Sequence, residues 1–238
     1  CLLDYFAGGV LRSYNSKQVC TNLVNAWRDD GEPVMAFLDC LLPNVDLTPV
    51  QIETALDSRE FLLNNPYDYQ IVRGEGGAQV QLLEEQVFTV GDKQGGVHGG
   101  KDFDFKNASS EITVTYKVTN SLYMESKSFF GSIFELGMLE HSDGIGVTID
   151  GNAVKWNKKD PFVYPEARKL DVRDYALGCT FHMVFDTPAS VFVGAVFGAS
   201  TSAAPDVFQG IRIYPFWRTA LNVMDEKKFG ITVSVTKR

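Results

Sequence analysis

Ile145-Gly146-Val147-Thr148-Ile149-Asp150-Gly151-Asn152-Ala153-Val154-Lys155-Trp156 carries the clearest fold signal in the chain. Two short apolar-rich runs flank Asp150-Gly151-Asn152, residue types that accept the positive φ angles of a tight reversal. The stretch therefore reads as a β-hairpin. Working outward, Ile112–Val118 alternates between faces as a half-buried strand does. Cys179–Phe185 and Val191–Phe197 are near-continuous apolar runs, suited to strands covered on both sides. Ile211–Tyr214 and Ile231–Val235 add two more. Several short strands without helices between them point to an antiparallel sandwich rather than a βαβ sheet.

The chain changes character near residue 70. Before it, Ser16 is placed to cap a helix over 16–28, with Val19, Leu23, Val24 and Trp27 on one face and Asp29-Asp30-Gly31 ending it. A sharper start signal follows. Thr48-Pro49-Val50-Gln51 reads as N-cap, first-turn proline and capping-box glutamine, with Leu47 and Ile52 as a hydrophobic staple. That predicts a helix over 48–59 burying Ile52, Ala55 and Leu56. The expected organisation is a helical lead-in over 1–69 packed on a β-sandwich over 70–238. Gly91–Gly100, with Gly95, Gly96, Gly99 and Gly100 around Val97-His98, reads as a flexible loop. It is not placed between a strand and a helix as a phosphate loop would be.

The 238 residues are 45% hydrophobic and 22% charged, enough for a substantial core. A formal charge of −8 and the lack of any Lys/Arg run argue against a nucleic-acid partner. No apolar stretch approaches the ~18 residues of a membrane span, and the first residues do not read as a secretory leader. Cys1 at the start has three readings: an arbitrary or proteolytic boundary, a lipid-carrying cysteine, or an N-terminal nucleophile. The apolar Leu2–Phe6 run does not resemble a polar tether. No Arg/Asp pattern of N-terminal cysteine nucleophiles follows it, so a boundary is expected. Cys1, Cys20, Cys40 and Cys179 form an even set compatible with three full disulfide pairings, and their spacing makes a zinc site unexpected. With the Asn107-Ala108-Ser109 sequon they lean toward an extracellular or surface-associated protein. Buried free thiols are the competing reading.

The order of several phrases resembles concanavalin A-like sandwiches of the laminin-G and pentraxin type. These are Lys101–Phe105, Ile112–Tyr116, Ser132–Gly137, Gly144–Asn152, Phe181-His182-Met183-Val184-Phe185-Asp186, and Gly210–Tyr214 continuing to Arg218–Leu221. The resemblance covers roughly residues 100–235 and implies a jelly-roll sandwich used mostly for recognition. The calcium-binding acidic loop and the sugar triad of such lectins are not evident in the sequence.

Each candidate site residue also has an ordinary structural role. Asp143, Asp150 and Asn152 offer hard oxygen ligands for calcium, and with His141 they cluster at a hairpin end. Such residues more often close turns. His182 in an apolar strand is expected to be hydrogen-bonded and structural, with His98 and His141 exposed in loops. Glu135 and Glu140 lie five apart and do not converge on one bond as glycosidase carboxylates must. Trp156, Trp217 and Tyr214 are expected in the core or on half-buried sheet. No nucleophile–base pair, metal cluster or phosphate loop assembles from neighbouring residues.

The expected protein is thus a mainly β, jelly-roll or concanavalin A-like sandwich with a short helical lead-in. Its expected role is non-enzymatic recognition of a glycan or a protein surface, with no organic cofactor and calcium as the one ion considered. A viral capsid, decoration or filament subunit is the first alternative, and self-association is compatible with either. The second is a polysaccharide lyase or glycoside hydrolase, because a fold does not fix its chemistry.

Overall fold

The computed structural model describes residues 36–43, 46–58, 67–90, 93–121, 125–137, 144–157, 159–198 and 207–237. The expected helix over 16–28 lies outside them, as do Cys1, Cys20, His141 and Asp143. The elements, in chain order, are β1 (Ala36–Pro43), α1 (Pro49–Ser58), β2 (Asp68–Gly74), β3 (Gly77–Val90), β4 (Lys93–Lys106) and β5 (Glu111–Asn120). They continue with β6 (Ser126–Gly137), β7 (Ile145–Ile149), β8 (Asn152–Val154), β9 (Phe162–Asp174), β10 (Cys179–Gly198), β11 (Val207–Leu221) and β12 (Glu226–Lys237). All pairings are antiparallel.

The spine is the β9–β10 pair. Along one edge of β10, β12 pairs with Cys179–Phe185 and β11 with Ser190–Gly198. β9 follows the other edge. One leaf therefore runs β8-β7-β9-β10-β12-β5-β4-β3-β2, and the other runs through the second half of β10 to β11, β6 and β1. The leaves fold toward each other, and the interior between them holds Val114, Tyr116, Val118, Phe130, Phe134, Phe181, Met183, Ile211, Ile213 and Trp217. Period-2 alternation delivers these side chains to the inside, because strand residues two apart share a face.

A second apolar layer lies on the back of the smaller leaf. Ile52 and Leu56 of α1 cover Cys40, Leu42, Ile133, Phe192, Tyr214 and Phe216 there. The Val191–Phe197 run is apolar on both sides for this reason: Val191 and Val193 face the interior, and Phe192 faces α1. Cys179–Phe185 differs from the expectation. Phe181, Met183 and Phe185 are buried, but His182 is half-buried and Val184 is exposed, because no helix among the described residues covers that leaf.

The capping box of α1 forms as its sequence predicts. Thr48 N donates to Gln51 Oε1 (2.9 Å), and Gln51 N donates to Thr48 Oγ1 (3.3 Å). Thr48→Ala is expected to cost about 0.5–2 kcal/mol, read as a lower urea midpoint at unchanged slope. The hairpin read from 145–156 is β7–β8, with Asp150 and Gly151 at positive φ.

Two expectations need correction. The glycine-rich stretch is not a loop over its described residues: 93–100 belong to β4, paired with β3 and, from Val97 on, with β5. Ladder bonds on both edges offset the entropy that glycine loses in a strand. His98 is accordingly exposed on a strand. A strand was also not anticipated at 36–43, yet β1 pairs with β6 over Ala36–Pro43 and carries buried Asp39 and Cys40.

Candidate functional site

A concavity among the described residues arises where β10 changes partners. Pairing with β12 ends at Phe185, and pairing with β11 begins at Ser190. Pro188 between them has no N–H to give to a ladder. β11 and β12 diverge from this point toward different leaves, leaving a pocket of about 400 Å³ lined by Glu166, Thr187, Pro188, Ser190, Phe216, Trp217, Arg218, Lys227, Lys228 and Phe229. That volume is within the range of small-ligand sites.

Local contacts hold the mouth open. Asp186 Oδ1 accepts the Gly230 N–H at 2.7 Å, securing the exit of β10 against β12. A side chain at Gly230 would press on that carboxylate and require it to shift. Trp217 Nε1 donates to Thr187 O at 3.1 Å, and its ring stacks on Phe229 at 4.7 Å and 15°. The floor is thus aromatic, with Trp217 held by a hydrogen bond and a stacked ring. Arg218, Lys227 and Lys228 line the pocket with Glu166, and Lys228 is also paired with Glu226 Oε1 at 3.1 Å, although the chain as a whole is acidic. Glu166 itself has φ 54°, at the irregularity where β9 shifts register on β10. Such strain persists only where the surroundings impose it.

A second polar arrangement lies on the open face of the larger leaf. His182 Nδ1 donates to Asp171 Oδ1 (2.6 Å), and Nε2 is hydrogen-bonded to the Thr236 hydroxyl (2.8 Å). Lys169 Nζ is 2.9 Å from Asp171 Oδ2. The expectation of a hydrogen-bonded histidine is met, and its partners come from β9 and β12.

Two buried ionic groups were not legible in the sequence. Asp39 of β1 meets Lys101 Nζ of β4 at 3.1 Å, and its Oδ2 accepts the Tyr67 hydroxyl at 2.7 Å. Arg212 on the back of β11 donates to Glu135 Oε1 (2.7 Å) and to Asp57 Oδ1 of α1 (2.6 Å). Burial is the leading influence on Arg212 and alone would lower its pKa, but Glu135 and Asp57 outweigh it and raise it. Burial pushes the Cys40 thiol up to about 12, so it is not a thiolate nucleophile at neutral pH. Tyr116 and Tyr214 are raised well above the usual phenol value, again chiefly by burial.

The residues singled out from the sequence do not come together. Asp150 Oδ1 accepts the backbone N–H groups of Arg168 (3.0 Å) and Lys169 (2.9 Å), tying the β7–β8 turn to β9. Asn152 Nδ2 donates to Asp150 O at 3.3 Å. Their intended companions His141 and Asp143 fall outside the described residues. Among the described residues no group of three or more His, Cys, Asp or Glu could hold a metal ion. Cys40 and Cys179 are both buried and are not joined to each other. Trp156 donates to Asp160 O at 2.9 Å, and Tyr214 is buried beneath α1. Only Trp217 lines the pocket. Among the described residues no helix is long and apolar enough to cross a membrane.

No family model matches the sequence, and no curated protein matches it. Solved structures do. The chain is similar to a 4-alpha-glucanotransferase from Thermococcus litoralis, at 16% identity and TM-score 0.57 over 91% of this chain and 29% of that one. It therefore spans under a third of that enzyme. It is also similar to a putative aldose 1-epimerase from Escherichia coli K12, at 13% identity and TM-score 0.53 over 72% of this chain and 69% of that one. A galactose mutarotase-like protein from Lactobacillus casei follows at 12% identity and TM-score 0.52, over 71% and 74%. At these identities the likeness is one of fold. The architecture is a β-sandwich like those of the mutarotase-like and glucanotransferase structures, rather than one specifically concanavalin A-like.

Proposed function

We propose that this chain is a non-enzymatic recognition module for carbohydrate, and that its ligand is an acidic glycan bound where β11 and β12 part. The observation that carries this reading is the pocket itself, with an aromatic floor of Trp217 and Phe229 and a rim of Arg218, Lys227 and Lys228. Trp217 and Phe229 are almost fully buried and give the pocket an apolar base rather than an open stacking face, while guanidinium and ammonium groups on the rim suit the carboxylate or sulfate substituents of a sugar. The names of the similar structures, a 4-alpha-glucanotransferase, a putative aldose 1-epimerase and a galactose mutarotase-like protein, lend the sugar class support. An extracellular or surface-associated setting suits such a ligand.

The test is calorimetric titration with uronate and sulfated oligosaccharides beside neutral ones of equal length. Binding of the acidic set, weakening with salt, is expected. Lys227→Glu with Arg218→Glu should weaken it by at least about tenfold, the equivalent of ~1.4 kcal/mol. Equal affinity for neutral sugars, or an unaffected double variant, would refute the assignment. Running each titration with chelator also tests calcium at Asp143, Asp150 and Asn152.

An enzymatic reading draws on one observation, the Asp171–His182 pair on an open sheet face. A carboxylate that orients a histidine is a general-base arrangement. Release of reducing or unsaturated sugar ends, abolished in His182→Asn, would replace recognition by catalysis.

A further inference from the structure

Among the described residues strand β2 ends the order of the larger leaf, and every residue from Asp68 to Gly74 is exposed. Tyr69 is 73% exposed, Ile71 50% and Val72 46%. Its pairing with β3 is unbroken from Asp68↔Leu83 to Gly74↔Gly77. Edge strands are usually protected by charge, proline or a bulge; β2 has neither proline nor bulge, and its two charges, Asp68 and Arg73, stand towards its ends.

The register gives the face each side chain occupies. Tyr69 lies across from Leu82 and then Lys101, Ile71 from Val80 and then Phe103, and Arg73 from Ala78 and then Phe105. These three rows share the face on which Phe103 packs against the main core. The apolar interior face of the leaf therefore runs on to the sheet edge at Tyr69 and Ile71.

We infer that β2 is a self-association edge, pairing antiparallel with β2 of a second copy about a two-fold axis at Ile71. A two-fold axis perpendicular to the sheet keeps each face on its own side, so odd-numbered residues must oppose odd-numbered ones. Of the registers this allows, the one centred on Ile71 uses the whole strand. It sets Ile71 against Ile71 of the second copy and Tyr69 against the other copy's Arg73, a ring–guanidinium contact. Asp68 falls opposite Gly74. Asp68 and Arg73 are the only charged residues of the strand, and no like charges meet. This self-complementarity selects a second copy over an unrelated partner. The edge lies apart from the pocket, so the two proposals stand or fall independently.

The wild-type chain is expected to be a dimer by light scattering across the micromolar to sub-millimolar range. Ile71→Lys places two ammonium groups on the axis and should weaken the dimer by on the order of 100-fold, with circular dichroism unchanged. Ile71→Cys should give a disulfide-linked dimer under mild oxidation, because residues on the axis lie ~4.5–5.5 Å apart. Leu83→Cys on β3, off the axis, should stay at the wild-type level on the same non-reducing gel. A wild-type monomer throughout, a dimer surviving Ile71→Lys, or an Ile71→Cys variant no more cross-linked than Leu83→Cys would overturn the inference.

Discussion

Lys101→Met is expected to lower the unfolding free energy by about 3–5 kcal/mol, because it strands a buried carboxylate. Asp39 is 1% exposed and Lys101 4%. They come from opposite leaves, β1 and β4, and their 3.1 Å contact closes the sandwich far from the β10 spine. Lys101 Nζ also donates to Phe37 O at 2.5 Å and sits 4.5 Å above the Tyr67 ring. Phe37 is held at φ 62° beside Phe103 and Phe134, so the lysine fixes a strained turn of β1 as well as neutralising a charge. Methionine keeps most of the apolar stem, which confines the loss to charge and hydrogen bonds. The urea midpoint should fall at unchanged slope, with Tm lower by roughly 6–20 °C. Asp39→Leu combined with Lys101→Met should recover most of the loss, since a pair replaced as a whole leaves no orphan charge. A double variant as unstable as Lys101→Met alone would show that packing, not the ion pair, closes the leaves.

The elements legible in the sequence are those whose cause is local. The β7–β8 hairpin is written in Asp150-Gly151, and the start of α1 in Thr48-Pro49-Val50-Gln51. Strand alternation placed Val114, Tyr116 and Val118 on the buried face correctly. What escaped depends on distant partners. Phe37–Leu42 contains an aspartate that makes sense inside a core only once Lys101 is known to face it. The glycines of β4 read as a loop until β3 and β5 are seen on either side. The pocket is least legible of all, because no segment encodes it. It exists where two strands sharing one edge of β10 separate, and its cations come from the end of one and the start of the other. Thr187-Pro188 between two apolar strand runs was the one local hint of that break.

Arg212→Met is expected to cost about 3 kcal/mol at neutral pH and distinctly less under acid conditions, because the arginine is the shared counter-charge for the underside of α1. Asp57 stands in the last turn of α1, where a carboxylate opposes the helix dipole. Its position is accounted for by Arg212, which is 6% exposed and binds Asp57 and Glu135 together. Asp57 is half-exposed, which keeps the expected loss at the lower end for a broken buried pair. Glu53, one turn earlier, has its pKa raised from 4.5 by burial and then by Asp57, with Arg212 acting the other way. A carboxyl whose folded pKa exceeds its unfolded one holds its proton more tightly when folded. Its contribution is therefore fully present below pH 4.5 and is lost as pH rises toward the folded value. Removing Arg212 takes away the one cation opposing that rise, so the window widens and the variant is penalised further on the neutral side. Urea unfolding of wild type and Arg212→Met at pH 4 and pH 7 reads both effects, and Glu53→Gln in the Arg212→Met background should return part of the pH 7 loss. A deficit of equal size at both pH values would mean that Arg212 supports α1 through packing of its stem alone.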